Sequence, residues 1–255
     1  LMADLLRAVR RNTKLLFIGD NDQLLPVGMG CVLRDFIESG VIPIAELTEI
    51  QRNSGQIVES CHLIKNNSPY IPSKTIDTEI GNNLVHIECS TPNKIADLIR
   101  RIVVERMPVR GYDPIWDVQV LSPTNKRTVM SCQNINKILQ AELNKNPIDE
   151  KSGFGVGDKV INTKNIYDAI CFESDDDEIL LNGDMGIIID LQDDDKSMVV
   201  QFENPMRKIL LSKYKHHLKL AYALTIHRSQ GSQFPVVIMP VHSAFQYQSN
   251  RALIY

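Results

Sequence analysis

The stretch Leu15-Leu16-Phe17-Ile18-Gly19-Asp20-Asn21-Asp22-Gln23-Leu24-Leu25-Pro26-Val27-Gly28 decides the fold class that we expect for this chain. Its first four residues are apolar and are bounded by Gly19 and Asp20, a pattern typical of a strand buried on both faces of a parallel sheet. In open parallel sheets, functional residues lie where the chain leaves the carboxyl end of such a strand. We therefore expect a functional loop at 20–23, although an ordinary exit from a strand gives the same Gly-Asp pair.

The composition is that of a globular protein with one large or two modest domains. The 255 residues are 43% hydrophobic and 23% charged, with a net charge of -3 at pH 7. This charge gives no overall basic signature, so any nucleic-acid contact requires a local basic track. The five cysteines form no Cys-x-x-Cys pair, which argues against zinc and indicates thiols in a reducing compartment. No apolar run approaches the roughly 18 residues of a membrane span, so we expect a cytoplasmic protein without a membrane partner.

Hydrophobic spacing predicts alternating helices and strands in the first 154 residues. Helices are expected over 1–9, 31–39 with Gly40 as the C-terminal stop, 56–65 with Ser54 as the cap, from Thr91-Pro92 onward, and over 128–144. Strands are expected over 15–18, 42–50, 84–89 and 118–121. This alternation indicates an α/β fold, a parallel sheet with helices on its faces.

Residues 155–215 predict a small all-β module. They contain short strand-like runs at 156–161, 186–191, 197–202 and 208–211, separated by Gly, Asp and Asn turns and without helical periodicity. The acidic runs 175–178 and 193–195 indicate solvated loops. The basic residues near the end of the module are the expected local contact with a DNA backbone, and they are Arg207, Lys208, Lys213, Lys215 and Lys219.

The loop after the strand 118–121 carries hydroxyls, an amide and cations in the order Ser122, Pro123, Thr124, Asn125, Lys126 and Arg127. Such a set at a strand end can hold a phosphate of a nucleotide or of a DNA backbone. It can equally cap the following helix, and the two interpretations are compatible.

Three stretches resemble motifs of superfamily 1 DNA helicases. Gly19-Asp20-x-x-Gln23-Leu24-x-Pro26-Val27 resembles motif III, and 27–30 resembles its RecD/TraA branch. Leu47-x-x-x-x-Arg52 resembles motif IV. Ala223-x-Thr225-x-His227-Arg228-Ser229-Gln230-Gly231-Ser232-x-Phe234 resembles motif V, with Gln233 where relatives often carry Glu.

The resemblance to a RecD/TraA-type helicase (exodeoxyribonuclease V alpha-chain-like) covers the whole chain and implies its domain organisation. Residues 1–41 correspond to the end of a first RecA-like motor domain. Residues 42–154 and 216–255 correspond to the second RecA-like motor domain, with its P-loop-type parallel sheet. Residues 155–215 correspond to an inserted Src-homology-3-like β-barrel.

The resemblance also implies roles for individual residues. Gln23 and Arg52 sense the γ-phosphate of ATP, and both are expected to serve in catalysis. The residues implied to contact the nucleotide are Gly19, Asp20, Gln23, Arg52, Gln230 and Gly231. The residues expected to contact DNA are Ser122, Thr124, Asn125, Lys126, Thr225, His227 and Ser229. The cofactors implied are ATP and Mg²⁺, with no metal ligand in this chain.

The sequence has no Gly-x-x-x-x-Gly-Lys-[Ser/Thr] phosphate loop, and the resemblance places motif II before Leu1 and motif VI after Tyr255. We therefore expect a fragment that is inactive as an ATPase alone. Its parent would be an ATP-driven 5′-3′ DNA translocase of recombination and repair. The expected partners are single-stranded or junction DNA and other subunits of a helicase–nuclease complex. Two other functions stay open: a single-strand-binding module without a motor, and a metal-dependent nuclease using Asp20 and Asp22.

Overall fold

The computed structural model describes residues 2–24, 30–48, 54–70, 72–172, 177–192, 197–203, 205–212, 215–245 and 251–254. It divides into two compact units, Leu1–Glu88 with Ser249–Tyr255, and Cys89–Gln248. The domain limits expected from the sequence, at 41/42, 154/155 and 215/216, stay predictions, because compactness does not show from which motor domain a segment derives.

In its described residues the first unit contains three helices in the amino-terminal part, α1 (Met2–Ala8), α2 (Val32–Ser39) and α3 (Gln56–Lys65), and a short helix Arg251–Ile254. Helix α2 ends as predicted, at Gly40 with φ 64°, whose N–H donates to the Ile37 carbonyl.

The predicted capping of α3 by Ser54 is wrong. Gly55, with φ 66°, is the N-cap residue, and its Cα lies so close to Gly81 that a side chain would overlap the Gly81 carbonyl. The N–H groups of the first turn, which have no partner within the helix, donate to residues about 25 positions later in the sequence. The Gly81 carbonyl accepts from Gln56 N at 3.0 Å, and Asn83 Oδ1 accepts from Ile57 N at 3.0 Å.

Three segments predicted as strands in the first unit are not strands. Residues 15–18, the described part of 42–50, and 84–89 pair with no described strand. The prediction that 15–18 is buried on both faces is also wrong, because Leu16 is 84% and Ile18 is 89% exposed. An extended apolar segment becomes a strand only when a neighbour accepts and donates its backbone hydrogen bonds along its length. Among the described segments the pairing is limited to a single parallel bridge between Ser73 and Val85, with Ser73 N donating to the Leu84 carbonyl at 3.0 Å.

The second unit begins with helices and one central strand. Helix α4 (Pro92–Arg101) starts as predicted, with Thr91 Oγ1 accepting from Lys94 N and proline at the first helical position. A π-type turn (Ile102–Arg106) leads into α5 (Met107–Val109), and strand β1 (Val118–Ser122) and helix α6 (Cys132–Leu143) follow.

The predicted all-β module is confirmed as a seven-stranded antiparallel sheet. Its strands are β2 (Lys159–Asn162), β3 (Ile166–Cys171), β4 (Asp177–Leu180), β5 (Met185–Gln192), β6 (Ser197–Phe202), β7 (Arg207–Leu211) and β8 (Leu218–Leu220), in the spatial order β4-β3-β7-β6-β5-β2-β8. The sheet curls around one core, since Leu180 near one edge and Leu218 near the other share a cluster with Ile188, Val200 and Phe202. Strands β3, β4 and β8 were not predicted.

The chain then returns to β1 to complete a parallel sheet. Strand β9 (Ala223–Thr225), helix α7 (Ile226–Ser229) and strand β10 (Val236–Ile238) follow the module, and the three parallel strands are ordered β10-β1-β9. One face of the sheet packs Val118 and Val120 with Ile135 and Leu139 of α6. On the other face of the sheet, Leu121 and Leu224 pack with Ile161 of the module. A parallel sheet with helices, plus a separate barrel-like β element, is the fold class predicted from the sequence.

Among the described helices, none is both long and apolar enough to cross a membrane.

Candidate functional site

The loop that resembles motif III is organised by Asp20. One carboxylate oxygen of Asp20 accepts from Asp22 N at 2.9 Å, and the other accepts from Gln23 Nε2 at 3.0 Å. The first bond is the local turn that Asp favours two residues ahead. The second holds the amide of the predicted sensor Gln23, which is exposed, so that its orientation depends on Asp20.

Asp22 ties the same loop to helix α3. Lys65 Nζ lies 2.8 Å from Asp22 Oδ2 and 3.8 Å from Glu46 Oε1. Asp20 and Asp22 are therefore engaged with Gln23 and Lys65 respectively. Within the described part of the chain, no three His, Cys, Asp or Glu side chains are arranged to hold a metal ion.

Two further nucleotide contacts implied by the resemblance can be placed only in part. A Cβ at Gly19 would lie 2.8 Å from Leu33 Cδ2, the end of a flexible side chain on α2, so a larger residue at this position would require Leu33 to shift. Arg52 lies outside the described residues.

The motif V residues occupy the carboxyl end of β9 and the helix that follows it. Thr225 is the parallel partner of Ser122 at the end of β1, which brings the two predicted DNA-binding segments to one edge of the sheet. Ile226 is buried, whereas His227 and Arg228 are exposed. Ser229 Oγ donates to the Ile226 carbonyl at 2.9 Å, so the Ser229 hydroxyl can act toward a ligand only as an acceptor in this arrangement.

The next two residues form a tight turn that requires glycine. Gln230 has φ -54° and ψ 130°, Gly231 has φ 83°, and Ser232 N donates to the Ser229 carbonyl at 2.9 Å. These values match a type II turn, whose third residue needs a positive φ. Nothing lies within 4 Å of a Cβ built on Gly231, so the backbone conformation, and not crowding, selects glycine here.

The loop after β1 caps helix α6. Ser122 is fully buried, donates from Oγ to the Met130 carbonyl at 2.7 Å, and accepts from Thr124 N at 3.4 Å. The carbonyls of Thr124 and Asn125 accept from the first helical amides, Cys132 N and Gln133 N, at 3.0 and 3.1 Å. The capping interpretation therefore describes this loop. The predicted contact of Ser122 with DNA is corrected, because its hydroxyl is buried and used internally.

Two other residues of this loop that were predicted to contact DNA face outward. Asn125 and Lys126 are exposed, and Thr124 Oγ1 donates to the Lys126 carbonyl at 3.1 Å. Beside them lies an open polar hollow of about 370 Å³, which is lined by Arg127, Thr128, Val129, Ser131, Gln133, Asn134 and Lys137.

Two cations line this hollow: Arg127, which belongs to the phosphate-binding set predicted for this loop, and Lys137, which was not predicted as a site residue. Arg127 adopts φ 82°, which is uncommon for a residue other than glycine. Thr128 Oγ1 is buried without a hydrogen-bond partner among the described residues. Lys137 follows Gln133 by one helical turn, so a search for polar residues at i,i+4 spacing on the predicted helix would have found it.

Arg207 was predicted to contact DNA, and this is corrected. Its Nη2 lies 2.6 Å from Asp184 Oδ2 and 3.3 Å from the Ile179 carbonyl, and its side chain is 8% exposed. Arg207 thus joins strands of the module, since a buried guanidinium is stable only when paired.

The short 3-10 turn Lys215–His217 at the end of the module carries the adjacent imidazoles of His216 and His217. The His217 carbonyl accepts from Thr163 N and Oγ1 at 3.0 and 2.6 Å, and the two imidazole rings are 3.9 Å apart. Partial burial, followed by the neighbouring charges of His216 and Lys164, lowers the pKa of His217. Lys213 lies outside the described residues.

A buried polar cluster joins the module to the parallel sheet. Asp158, fully buried, accepts from Gln140, Asn144, Tyr222 and Gly155. No sequence pattern predicted this cluster, because polar residues on the inward face of a helix give no hydrophobic periodicity.

Comparison with known proteins identifies relatives along the whole chain. An ATP-dependent RecD2 DNA helicase from Deinococcus radiodurans is 30% identical over 261 residues, which cover 100% of this chain and 32% of the relative. The RecBCD enzyme subunit RecD of Mycolicibacterium smegmatis is 25% identical, covering 100% of this chain and 45% of the relative. The corresponding subunit of Buchnera aphidicola is 23% identical, covering 92% and 45%. The chain thus spans 32% to 45% of the length of these proteins.

Two family models match parts of the chain. Residues 220–255 match the UvrD-like helicase C-terminal domain, and residues 1–87 match an AAA domain. Among solved structures, Pif1 helicase from Candida albicans is 14% identical with a TM-score of 0.41, covering 77% of this chain and 49% of that chain. The resemblance to RecD-type helicases is confirmed by the sequence relatives.

Proposed function

We propose that this chain, a relative of RecD-type helicases along its whole length, is part of an ATP-driven DNA helicase and supplies a share of its DNA track. The observation that carries the proposal is the full-length match to an ATP-dependent RecD2 DNA helicase. The motif V stretch supports it, because Thr225 ends a parallel strand and His227 and Arg228 stand exposed on the helix that follows.

The DNA contact is assigned to the edge where β1 and β9 end. His227 offers a ring nitrogen, and Arg228 and Lys126 offer donors and positive charge to a phosphate backbone. The hollow beside them adds Arg127 and Lys137. Thr225 and Ser229 offer hydroxyl oxygens. Because the chain as a whole carries a net charge of -3, this local cluster is what would guide DNA to the surface.

ATP and Mg²⁺ are the cofactors of the proposed motor. In this chain, Gln23 held by Asp20 is the described residue suited to a phosphate oxygen, and Arg52 is the proposed second contact. Arginine suits that position because its planar fork of donors remains charged. Bound Mg²⁺ would neutralise phosphate charge during transfer, and the chain supplies no three-carboxylate set for it among the described residues.

The finer features are part of the same proposal. Movement is 5′-3′, as expected for the RecD/TraA branch, and the function lies in DNA recombination and repair in the cytoplasm. The β module corresponds to a Src-homology-3-like barrel. Other subunits of a helicase–nuclease complex are proposed partners, since two of the relatives are named as subunits of the RecBCD enzyme.

The exposed basic edge is also consistent with an alternative function, a module that binds single-stranded nucleic acid without a motor. The two functions differ in ATP dependence. The nuclease alternative has no supporting observation in the described residues, where Asp22 is paired with Lys65.

Binding of a fluorescein-labelled oligothymidylate to this chain, measured by anisotropy, tests the assignment of the DNA contact. We expect affinity to fall as salt rises, and His227→Ala to weaken binding several-fold. His62→Ala, at an exposed position on α3, is the matched control and should bind as the unaltered chain does. A chain that does not bind, or equal affinity of the His227 and His62 variants, would contradict the assignment.

A further inference from the structure

The chain passes between the β module and the parallel sheet twice, and the two passages lie side by side. It passes into the module just before β2 and returns from β8 to β9. Strand β2 pairs with β8 through Val160 and Leu220, and Ala221 N donates to the Lys159 carbonyl at 2.9 Å. The segment Ala221-Tyr222 therefore leaves the module against β2 and leads directly into the motif V strand.

Asp158, at the first passage, is bonded to both passages and to helix α6. Its Oδ1 accepts from Asn144 Nδ2 at 2.8 Å and from the Tyr222 hydroxyl at 3.0 Å. Its Oδ2 accepts from Gln140 Nε2 at 2.5 Å and from Gly155 N at 2.8 Å. The carboxylate is fully buried, and these four donors replace the water that it loses.

Lys159, the next residue, projects to the opposite face of its strand and contacts a different element. Its Nζ donates to the Ile115 carbonyl at 2.5 Å and to Gln119 Oε1 at 3.1 Å. With its oxygen held by Lys159, Gln119 directs Nε2 to the carbonyls of Ala221 and Tyr222, at 3.2 and 3.1 Å. The ammonium also lies 5.8 Å from the Trp116 ring.

Helix α6 holds the same segment from one face. Asn136, Gln140 and Asn144 are spaced at i,i+4,i+8, so they share a face of the helix, and all three are buried. Asn136 forms two bonds with the backbone of Ala223, the first residue of β9, at 2.8 and 2.9 Å. Gln140 and Asn144 hold Asp158.

We infer that Asp158 and Lys159 are positioning residues that fix the motif V strand relative to the β module, acting through Tyr222 and Gln119. Apolar residues of similar volume would pack between the same elements without the desolvation cost of two buried charges. Instead, two adjacent charges determine where this segment lies, because Asp158 is bonded to Tyr222 and the Lys159 partner Gln119 is bonded to Ala221 and Tyr222. A change in the position of the module is thereby communicated to Thr225 and His227. The functional part of this inference rests on the proposed function, whereas its structural part does not.

Hydrogen exchange on the full chain, comparing the unaltered protein with Asp158→Asn, tests the structural part. Asparagine keeps one side-chain oxygen and replaces the other with an NH₂ group, which then faces groups that donated to the carboxylate. If NH₂ takes the place of Oδ2, it faces the Gly155 N–H, which cannot accept a hydrogen bond. We expect exchange at residues 221–229 to rise at least tenfold, while Val199 and Val200 in β6 keep their protection. Asp190→Asn, an exposed change on β5, is the matched control and should alter neither segment.

Equal acceleration at 221–229 and in β6 would show a general loss of stability and would overturn the inference, as would no change at 221–229. If Asp158→Asn does not fold, Tyr222→Phe removes one donor and leaves the carboxylate in place. It should accelerate exchange at 221–229 several-fold and spare β6, and the same two outcomes would overturn the inference.

Binding of oligothymidylate then tests the functional part. Asp158→Asn should weaken it several-fold, although Asp158 is buried and cannot touch DNA. Unchanged affinity would overturn the coupling between the junction and DNA binding. An unaltered chain that binds no DNA would contradict the proposed function, while the exchange result would still decide the structural part.

Discussion

The Tyr222 hydroxyl donates to Asp158 Oδ1 at 3.0 Å, which joins the residue before the motif V strand to the first passage into the β module. The two residues are 64 positions apart in sequence, and both are almost completely inaccessible to solvent. Burial, followed by the charge of Asp158, raises the pKa of Tyr222 far above its ordinary value, so the hydroxyl remains a donor throughout the physiological range.

Tyr222→Phe should reduce the free energy of unfolding by about 1.5–3 kcal/mol, the range typical of a lost hydrogen bond to a charged group. Urea unfolding followed by Trp116 fluorescence measures the change. Tyr167→Phe is the matched control, because its hydroxyl is exposed and should cost less than about 0.5 kcal/mol. Equal stabilities of the two variants would show that the Tyr222 bond adds nothing.

Lys159 should make stability depend on pH. Burial lowers its pKa from 10.5 to about 8, and Asp113 and Glu203 act in the opposite direction. Between pH 8 and 10.5 the unfolded chain therefore binds more protons at this residue than the folded chain, so its contribution to stability rises with pH.

Comparison with Lys159→Met isolates that contribution from other groups. Between pH 7.5 and 9.5 the unaltered chain should gain about 1–2 kcal/mol in unfolding free energy relative to the variant, at about 1.4 kcal/mol per pKa unit. If the difference in unfolding free energy between the unaltered chain and Lys159→Met stays constant or shrinks as pH rises, burial does not destabilise the Lys159 ammonium.

Gly231→Ala should destabilise the turn after α7 by about 1 kcal/mol, because an L-residue is strained at φ 83° even with open space around its Cβ. Gly231→Asn should cost less, since asparagine tolerates this conformation better. Thermal unfolding of the two variants distinguishes them, and equal losses would mean that the positive φ is not what selects glycine.

Gln23→Ala should separate ATP hydrolysis from unwinding in the full-length protein, because the proposed sensor links the γ-phosphate to the DNA track. ATP and DNA binding should change little. The measurement is the number of base pairs separated per ATP hydrolysed, and an unchanged ratio would assign Gln23 to the loop structure alone. Asn21→Ala, in the same turn, is a control that should leave the ratio unaltered.

Local signals predicted much of the fold. Gly40 ended α2, Thr91-Pro92 began α4, and the buried run at 118–121 became β1. Each of these elements is determined by the residues within it or beside it. The change from helical spacing to short turns likewise predicted the β module.

The predictions that were wrong concern residues whose structure depends on partners elsewhere in the sequence. The segment 15–18 has strand composition but no described neighbour to pair with. The charge on Arg207 suggested DNA, yet Asp184, 23 residues earlier, engages it. Ser122 has a hydroxyl suited to a phosphate, yet this hydroxyl donates to the Met130 carbonyl. Sequence patterns identify which groups need partners, but the tertiary fold chooses the partners.

ATP turnover by the full-length protein, at saturating single-stranded DNA, tests the central claim most directly. The account predicts ATP hydrolysis that DNA stimulates, and a loss of about a hundredfold or more in Arg52→Ala, because charge stabilisation at the γ-phosphate is removed. Arg52→Lys should not restore turnover, since a point charge cannot reproduce the guanidinium fork. DNA affinity without nucleotide should be unaltered in both variants. A protein without DNA-stimulated turnover, or near-normal turnover in Arg52→Ala, would contradict the assignment of this chain to a helicase motor.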